Sequence, residues 1–397
     1  MSDDRTDAAP QQDAPTVPVR ATTVASPTSS TPTAPSDPAG TPTAPPAEPG
    51  TPEAGVDAPP SGVVSTGTRE RAFDSASEPD LGEVAVAGDE GVALVVGEAL
   101  IDVVRTSDGA VAEHPGGSPA NVALGLARLG RDAHLLTWFG DDAHGALLRR
   151  HLEASGVTVV AGSETADRTS VAVAHVDANG VATYDFDLSW HVPARWSAPS
   201  GAPVVVHTGS IAAVLEPGGP DVARILEALR GSATVTYDPN LRPSLMPPAE
   251  VTRPVVERLV ALADVVKVSD EDLAWLEPGA DPTEVALRWA ASGPALVVVT
   301  RGGEGATAVT VDGRVIDVAA PRVTVADTVG AGDSFMGGLI DGLWSVGLLG
   351  AAHRDALREA DETVLRSVLT RCAEIAAITV SRPGANPPTS DELTTPL

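Results

Sequence analysis

Residues 327–340, DTVGAGDSFMGGLI, place four glycines and two aspartates at the start of an apolar run. Gly330, Ala331 and Gly332 carry almost no side chain, so consecutive backbone N–H groups can face one cavity. SFMGGLIDGLW reads as a helix, which would set its positive dipole end beneath that cavity. Such a turn suits an anion, above all a phosphoryl group that gathers charge during transfer. Two familiar phosphate cradles fail here. Gly332 and Gly337 have the Walker A spacing, but Gly338 stands where the lysine belongs; a G-x-G-x-x-G reading from Gly330 meets Phe335 at the third glycine. Asp333, at the helix start, supports two readings. It is either an N-cap or a general base that takes the proton of an attacking hydroxyl.

Other polar residues raise the same choice. Asp102, in GEALID, follows a Val-rich run, where a carboxylate can hold vicinal hydroxyls or simply keep an edge strand soluble. Asn121 lies in the first turns of a helix and can cap it or bind hydroxyls. Asp327 can shape its turn. Lys267 is the sole lysine and reads as ordinary surface charge. Cys372, also alone, sits in the apolar helical stretch RCAEIAAITV and reads as core packing.

The elements that must position these groups alternate. GVALVVG, AHLLTW, APVVVHTG, ATVTYDPN, ADVVKVS and PALVVVTRGG read as buried strands ending in turn residues, and VTVV begins a further one. PANVALGLARLG, DAHGALLRRHLEASG and GPDVARILEALRG read as helices between them. This rhythm predicts an α/β fold, with a mostly parallel central sheet covered by helices on both faces and ligands bound beyond the strands' carboxyl ends. ALIDVVRTSDGAVAEHPGG and TSVAVAHVDANGVATYDFDLSW break the rhythm as hairpin-like β, a small accessory sheet or lid from about 101–115 and 168–190. Residues 1–88 are a Pro/Ala/Thr/Ser-rich acidic tail expected to be disordered, leaving 89–397 as the folded domain.

Composition narrows the function classes. A formal net charge of −28 argues against nucleic-acid binding. With one cysteine, neither a disulfide framework nor a multi-cysteine metal site is expected. The acidic N-terminus lacks an apolar signal region, and no run is long enough to cross a bilayer, so a cytoplasmic, membrane-free protein is expected.

Seven segments change the balance between these readings. PGGSPANVALGLARLG, WFGDDAHG, YDPNLRP, KVSDEDL, TRGGEGA, DTVGAGDSFMGGLI and SRPGANPP occur in this order and resemble the ribokinase-like, or PfkB-type, carbohydrate kinases, most of all the fructokinase branch. The resemblance runs from about residue 91 to 390. It implies a ribokinase-like fold with a β-sheet lid and ATP-dependent phosphorylation of a sugar's primary hydroxyl, with Mg2+ and in some members K+. It implies that Asp333 is the general base and that the amides of Gly330, Ala331 and Gly332 form the anion hole. Asp102, Gly116, Gly117 and Asn121 would bind sugar; Asn240, Ser269, Thr300, Gly302 and Gly305 would lie at the nucleotide. Asp327 matches a monovalent-cation position. The family's N-x-x-E near the metal–phosphate region is Ser269 and Asp272 here, which shortens the acid by one methylene and leaves water-mediated contact to Mg2+.

Fructose is the acceptor expected from the segments, and a homodimer through the lid is a family habit. A ketodeoxy sugar acid, ribose or a nucleoside are the alternatives. A sugar acid would call for a cation such as Arg168. A catalytically silent regulatory binder is disfavoured by the intact turn, and a nicotinamide oxidoreductase by the failed dinucleotide fingerprint.

Overall fold

The computed structural model describes residues 91–177, 182–199, 201–395 and 397. The tail expected over 1–88, and the turn between the two strands of the second hairpin, lie outside the described residues. Thirteen strands and nine α-helices, numbered in chain order, make up the described part.

The main sheet contains β1 (Val92–Val96), β4 (Asp132–Leu136), β5 (Thr158–Val159), β8 (Pro203–Gly209), β9 (Thr234–Asp238), β10 (Val265–Ser269), β11 (Leu296–Thr300), β12 (Ala306–Thr310) and β13 (Val315–Val318). Their spatial order is β13-β12-β11-β10-β9-β8-β1-β4-β5. Every pairing from β5 to β11 is parallel, and only β12 and β13 join antiparallel. The strand expected at VTVV is the two-residue edge β5, too short to offer a long unpaired edge.

The helices are α1 (Ser118–Arg128), α2 (Ala143–Ala154), α3 (Gly218–Leu229), α4 (Ala249–Leu262), α5 (Asp270–Leu276), α6 (Pro282–Ala290), α7 (Ala331–Ser345), α8 (Arg354–Arg358) and α9 (Glu362–Val380). Because strand side chains alternate between faces, β1 feeds two cores. Ala93 and Val95 pack with α1, α7 and α9, while Leu94 and Val96 pack with α3, α4, α5 and α6. Burial on both faces is why these strands read as continuous Val/Leu runs rather than alternating ones. Cys372 lies fully buried in α9, where burial and the nearby Asp341 push its thiol up.

A second, four-stranded sheet has the order β3-β2-β6-β7, from β2 (Leu100–Thr106), β3 (Val111–Gly116), β6 (Val171–Val176) and β7 (Ala182–Asp187). Most described β3 and β7 side chains face solvent, whereas β2 alternates. Asp142 ties this sheet to the main body. It caps α2 through the Gly145 amide at 2.8 Å, and its carboxylate also accepts from the Thr169 amide at 2.8 Å and hydroxyl at 2.7 Å. The WFGDDAHG segment is therefore an anchoring turn.

Candidate active site

Residues distant in sequence meet at the amino end of α7, an apolar helix of the first core. Asp333 is only 7% exposed. One carboxylate oxygen accepts from the Ser118 hydroxyl at 2.7 Å and from the Asn240 carboxamide at 3.3 Å; the other accepts from the Asn121 carboxamide at 2.8 Å. Ser118 and Asn121 come from the first turn of α1, and Asn240 follows β9 in a left-handed conformation, φ 37°. Three chain segments thus converge on one carboxylate.

The N-cap alternative for Asp333 is settled by geometry. Gly330 is the N-cap of α7, with φ 75° and no side-chain cap bond, which puts Asp333 third in the helix. Gly330 has two reasons to be glycine: the left-handed backbone, and a Cβ there would lie 2.6 Å from that of Ala385. The Ala331 amide turns back to the Thr328 carbonyl at 3.3 Å, and the Gly330 carbonyl accepts from the Ser334 amide at 2.8 Å.

Beneath this turn lies Lys267. The surface charge expected at this position is instead 2% exposed, with its ammonium 3.0 Å from an oxygen of the fully buried Asp238. A Cβ on Gly332 would come within 2.8 Å of the Lys267 Nζ. Burial lowers the ammonium's proton affinity, but Asp238, Asp272 and Asp333 together outweigh it and hold the group above its ordinary pKa. Burial pushes Asp238 up to about 6, opposed by Lys267, so the two form an ion pair at neutral pH.

Asp102 occupies a different environment. It stands on the solvent-open face of β2, beside the bare α-carbon of Gly116, where a Cβ would lie 2.3 Å from its Oδ2. Partial desolvation raises its pKa, with His114 and Arg242 pulling the other way; its water contact limits the push. Gly117 takes φ 106° as N-cap of α1, and a Cβ there would strike the Glu98 carbonyl at 2.5 Å. Glu98 is buried, and desolvation pushes it up to about 7 against hydrogen bonds that include Ser210 and Ala212. It lines a cavity of about 150 Å³ with Leu100, Ser170, Leu188, Trp190 and Ile211.

The remaining expected residues divide. Ser269 and Thr300 are register partners at the carboxyl ends of β10 and β11, and Gly302 and Gly305 form the tight turn into β12. Arg168 is not brought to the Asp333 cluster. Its guanidinium is 67% exposed and pairs with Asp187 at 2.5 Å. Asp272 closes a capping box on α5: one oxygen accepts from the Ser269 amide at 3.2 Å, the other from the Leu241 amide at 2.8 Å. Asp327 likewise accepts from the Val329 amide at 3.0 Å and the Gly384 amide at 2.9 Å, joining the turn to the SRPGANPP segment. No group of three or more His, Cys, Asp or Glu side chains among the described residues could hold a metal ion. Both Asp272 oxygens accept backbone amides, which fits contact with a Mg2+ ion through water rather than directly.

Sequence reading missed Ser118, Asp238 and Lys267 as site members. Ser118 looks like an ordinary residue before a helix, and nothing local announces a partner 215 positions away. For Lys267 there was a signal: a lone lysine in the middle of a Val-rich run that reads as a buried strand.

Comparison with known proteins gives the family of the chain. Residues 92–392 match the family described as pfkB family carbohydrate kinase. The chain is 35% identical over 261 residues to a fructokinase of Klebsiella pneumoniae, covering 64% of this chain and 85% of that protein. It is similar to the crystal structure of a fructokinase from Xylella fastidiosa with bound ATP, with TM-score 0.66, 26% identity, and coverage of 76% and 96% of the two chains. The aminoimidazole riboside kinase of Salmonella enterica, solved with aminoimidazole riboside and an ATP analogue, gives TM-score 0.61 and 26% identity, over 76% and 98% of the chains. No helix among the described residues is long and apolar enough to cross a membrane.

Proposed function

This chain belongs to the pfkB family of carbohydrate kinases, ATP-dependent phosphotransferases, and on that premise we propose that its acceptor is fructose and its product fructose 6-phosphate. The observation that carries the reading is the Asp333 carboxylate, held by Ser118, Asn121 and Asn240 beside the glycine turn.

In this reading the 6-hydroxyl takes the place of one donor on Asp333 and gives its proton to the carboxylate. The oxygen attacks the γ-phosphorus, the new O–P bond forms as the bond to the β-phosphate oxygen breaks, and ADP leaves. Asn121, Asp102 and the Gly116–Gly117 backbone hold the sugar's other hydroxyls. The amino end of α7, with the turn at Gly330 to Gly332, favours the charge gathering on the phosphoryl group. Ser269, Asn240, Thr300, Gly302 and Gly305 line the nucleotide side. Charge neutralisation at the phosphates is what Mg2+ supplies when bound; Asp272 reaches such an ion only through water, and Asp327 would face a monovalent cation only with its remaining lone pairs.

Fructose rests on the similarity to proteins named fructokinase. A nucleoside is the second reading, favoured by the equal identity to the aminoimidazole riboside kinase. Arg168, exposed and paired, gives a sugar acid no support. A dimer through the four-stranded sheet would cover the exposed, stacked Tyr184 and Phe186. The deciding experiment follows ADP release with ATP, Mg2+ and K+ over fructose, ribose, 2-keto-3-deoxygluconate and nucleosides. Fructose should give the highest kcat/KM; a nucleoside or sugar acid ahead of it overturns the assignment.

A further inference from the structure

We propose that Lys267 is the fixed cation of the phosphoryl-transfer site, its ammonium reaching from β10 beneath the first turn of α7 and held there by Asp238. The inference rests on the phosphotransferase reading and adds to it the charge that the glycine turn lacks in its own sequence.

Four observations point the same way. Lys267 is buried, and burying an ion pair is rarely a gain in stability over an apolar pair of similar volume. Its retention therefore asks for another reason. The ammonium lies against Gly332, so that any side chain at that position would collide with it. The second glycine of the turn thus makes room for a cation from below as well as for an anion from above. Asp238 offers Lys267 one oxygen at 3.0 Å, while its other oxygen has no hydrogen-bond partner. The bond to Asp238 is the one hydrogen bond of the ammonium among the described residues, so two of its three donors are left to face a ligand. Finally, Lys267 is the one lysine among 26 basic residues. Arginine serves elsewhere in the chain, whereas the residue against Gly332 is the one that brings a compact point charge rather than a planar fork.

The step needs no proton from Lys267. The acceptor's proton goes to Asp333, the O–P bond forms, and the electron pair of the breaking P–O bond leaves on ADP. The ammonium keeps its charge throughout and stabilises the equatorial phosphoryl oxygens. A P-loop supplies its lysine from within the turn; here the same charge arrives from a strand 65 positions upstream of Gly332.

The single lysine makes the test direct. The full chain, labelled with 15Nζ-lysine, gives one side-chain ammonium signal. Adding ADP, Mg2+, aluminium fluoride and the best sugar should move it, whereas sugar alone should leave it in place. An unmoved signal in the complete complex overturns the proposal. The paired variant K267M/D238N removes both charges without orphaning either. It should lose turnover by about 100-fold while its KM for sugar and its melting temperature hold, and Lys267→Arg alone should recover less than the wild-type rate. Turnover of the folded double variant within about threefold of wild type, or a loss matched by weaker ADP and sugar binding, overturns the proposal as well. If the double variant does not fold, the ammonium signal decides. Failure of every sugar in the panel, with the signal still moving, would instead strike the acceptor assignment.

Discussion

The two sheets hold their carboxylates in opposite ways. At the carboxyl end of the main sheet, Asp333, Asp238 and Asp272 are all buried, and each is fixed by partners from other segments. On the four-stranded sheet, Asp102 and Asp187 are open to water, and Asp187 is paired with an exposed arginine. Buried groups with several partners are pre-aligned, which suits a reacting centre; open groups on a thin sheet can adjust, which suits holding a substrate. The division predicts that changes in the first region act on kcat and changes in the second on KM.

The sharpest break should come from Asp333→Asn, which keeps the hydrogen-bonding shape but cannot take a proton. Turnover should fall by about 10²- to 10⁴-fold with sugar affinity nearly retained, as read by steady-state kinetics and equilibrium sugar binding. Near-wild-type turnover would remove the general base from the argument. Asp102→Ala should act on the other side of the comparison, raising KM for the sugar by about 10- to 100-fold with a smaller change in kcat. A kcat loss without a KM change at this position would erase the contrast. Gly330→Ala tests the turn itself. A left-handed backbone and the contact with Ala385 should cost about 1–3 kcal/mol, visible in denaturant unfolding.

Glu98 sits where the two sheets meet and gives a pH signature. Its folded-state pKa, about 7, is above the ordinary 4.5, so the folded protein holds this proton more tightly than the unfolded chain. The wild type therefore loses stability as pH rises through this window, by on the order of 3 kcal/mol from this group. Glu98→Gln should gain on wild type from pH 5 to 8, measured as the difference in unfolding midpoints; a difference that stays flat would refute the shift. The smallest effect is expected from Arg168→Ala. An exposed pair contributes little, so neither KM for the sugar nor stability should move beyond about 1 kcal/mol.

Much of this fold was legible because its signals are local. Val-rich runs, a proline near the start of α1 and glycine after its end, and the alternation of strands with helices depend on neighbours in sequence, and they led to the right elements. Where the reading fell short, length was the reason: VTVV has the composition of a strand, but only Thr158 and Val159 find partners on β4. The candidate site was legible in part. The glycine turn and Asp333 announce phosphate chemistry by type and spacing, and the family resemblance gave Asp102 and Asn121 a role and added Asn240.

What the sequence by itself determined, then, is the chemistry on offer: a turn of bare amides, a carboxylate at a helix start, and a parallel α/β frame to carry them. The tertiary structure alone decided which reading of each residue holds. Asp333 is excluded as the cap because Gly330 takes that position, and Asp272 faces inward because its oxygens serve two amides. Lys267 moves from surface to centre because β10 lies beside β9, setting Asp238 within reach of its ammonium. Spacing along a chain records what can happen within a few residues. Which charges are buried together depends on strand order, and no local pattern encodes that.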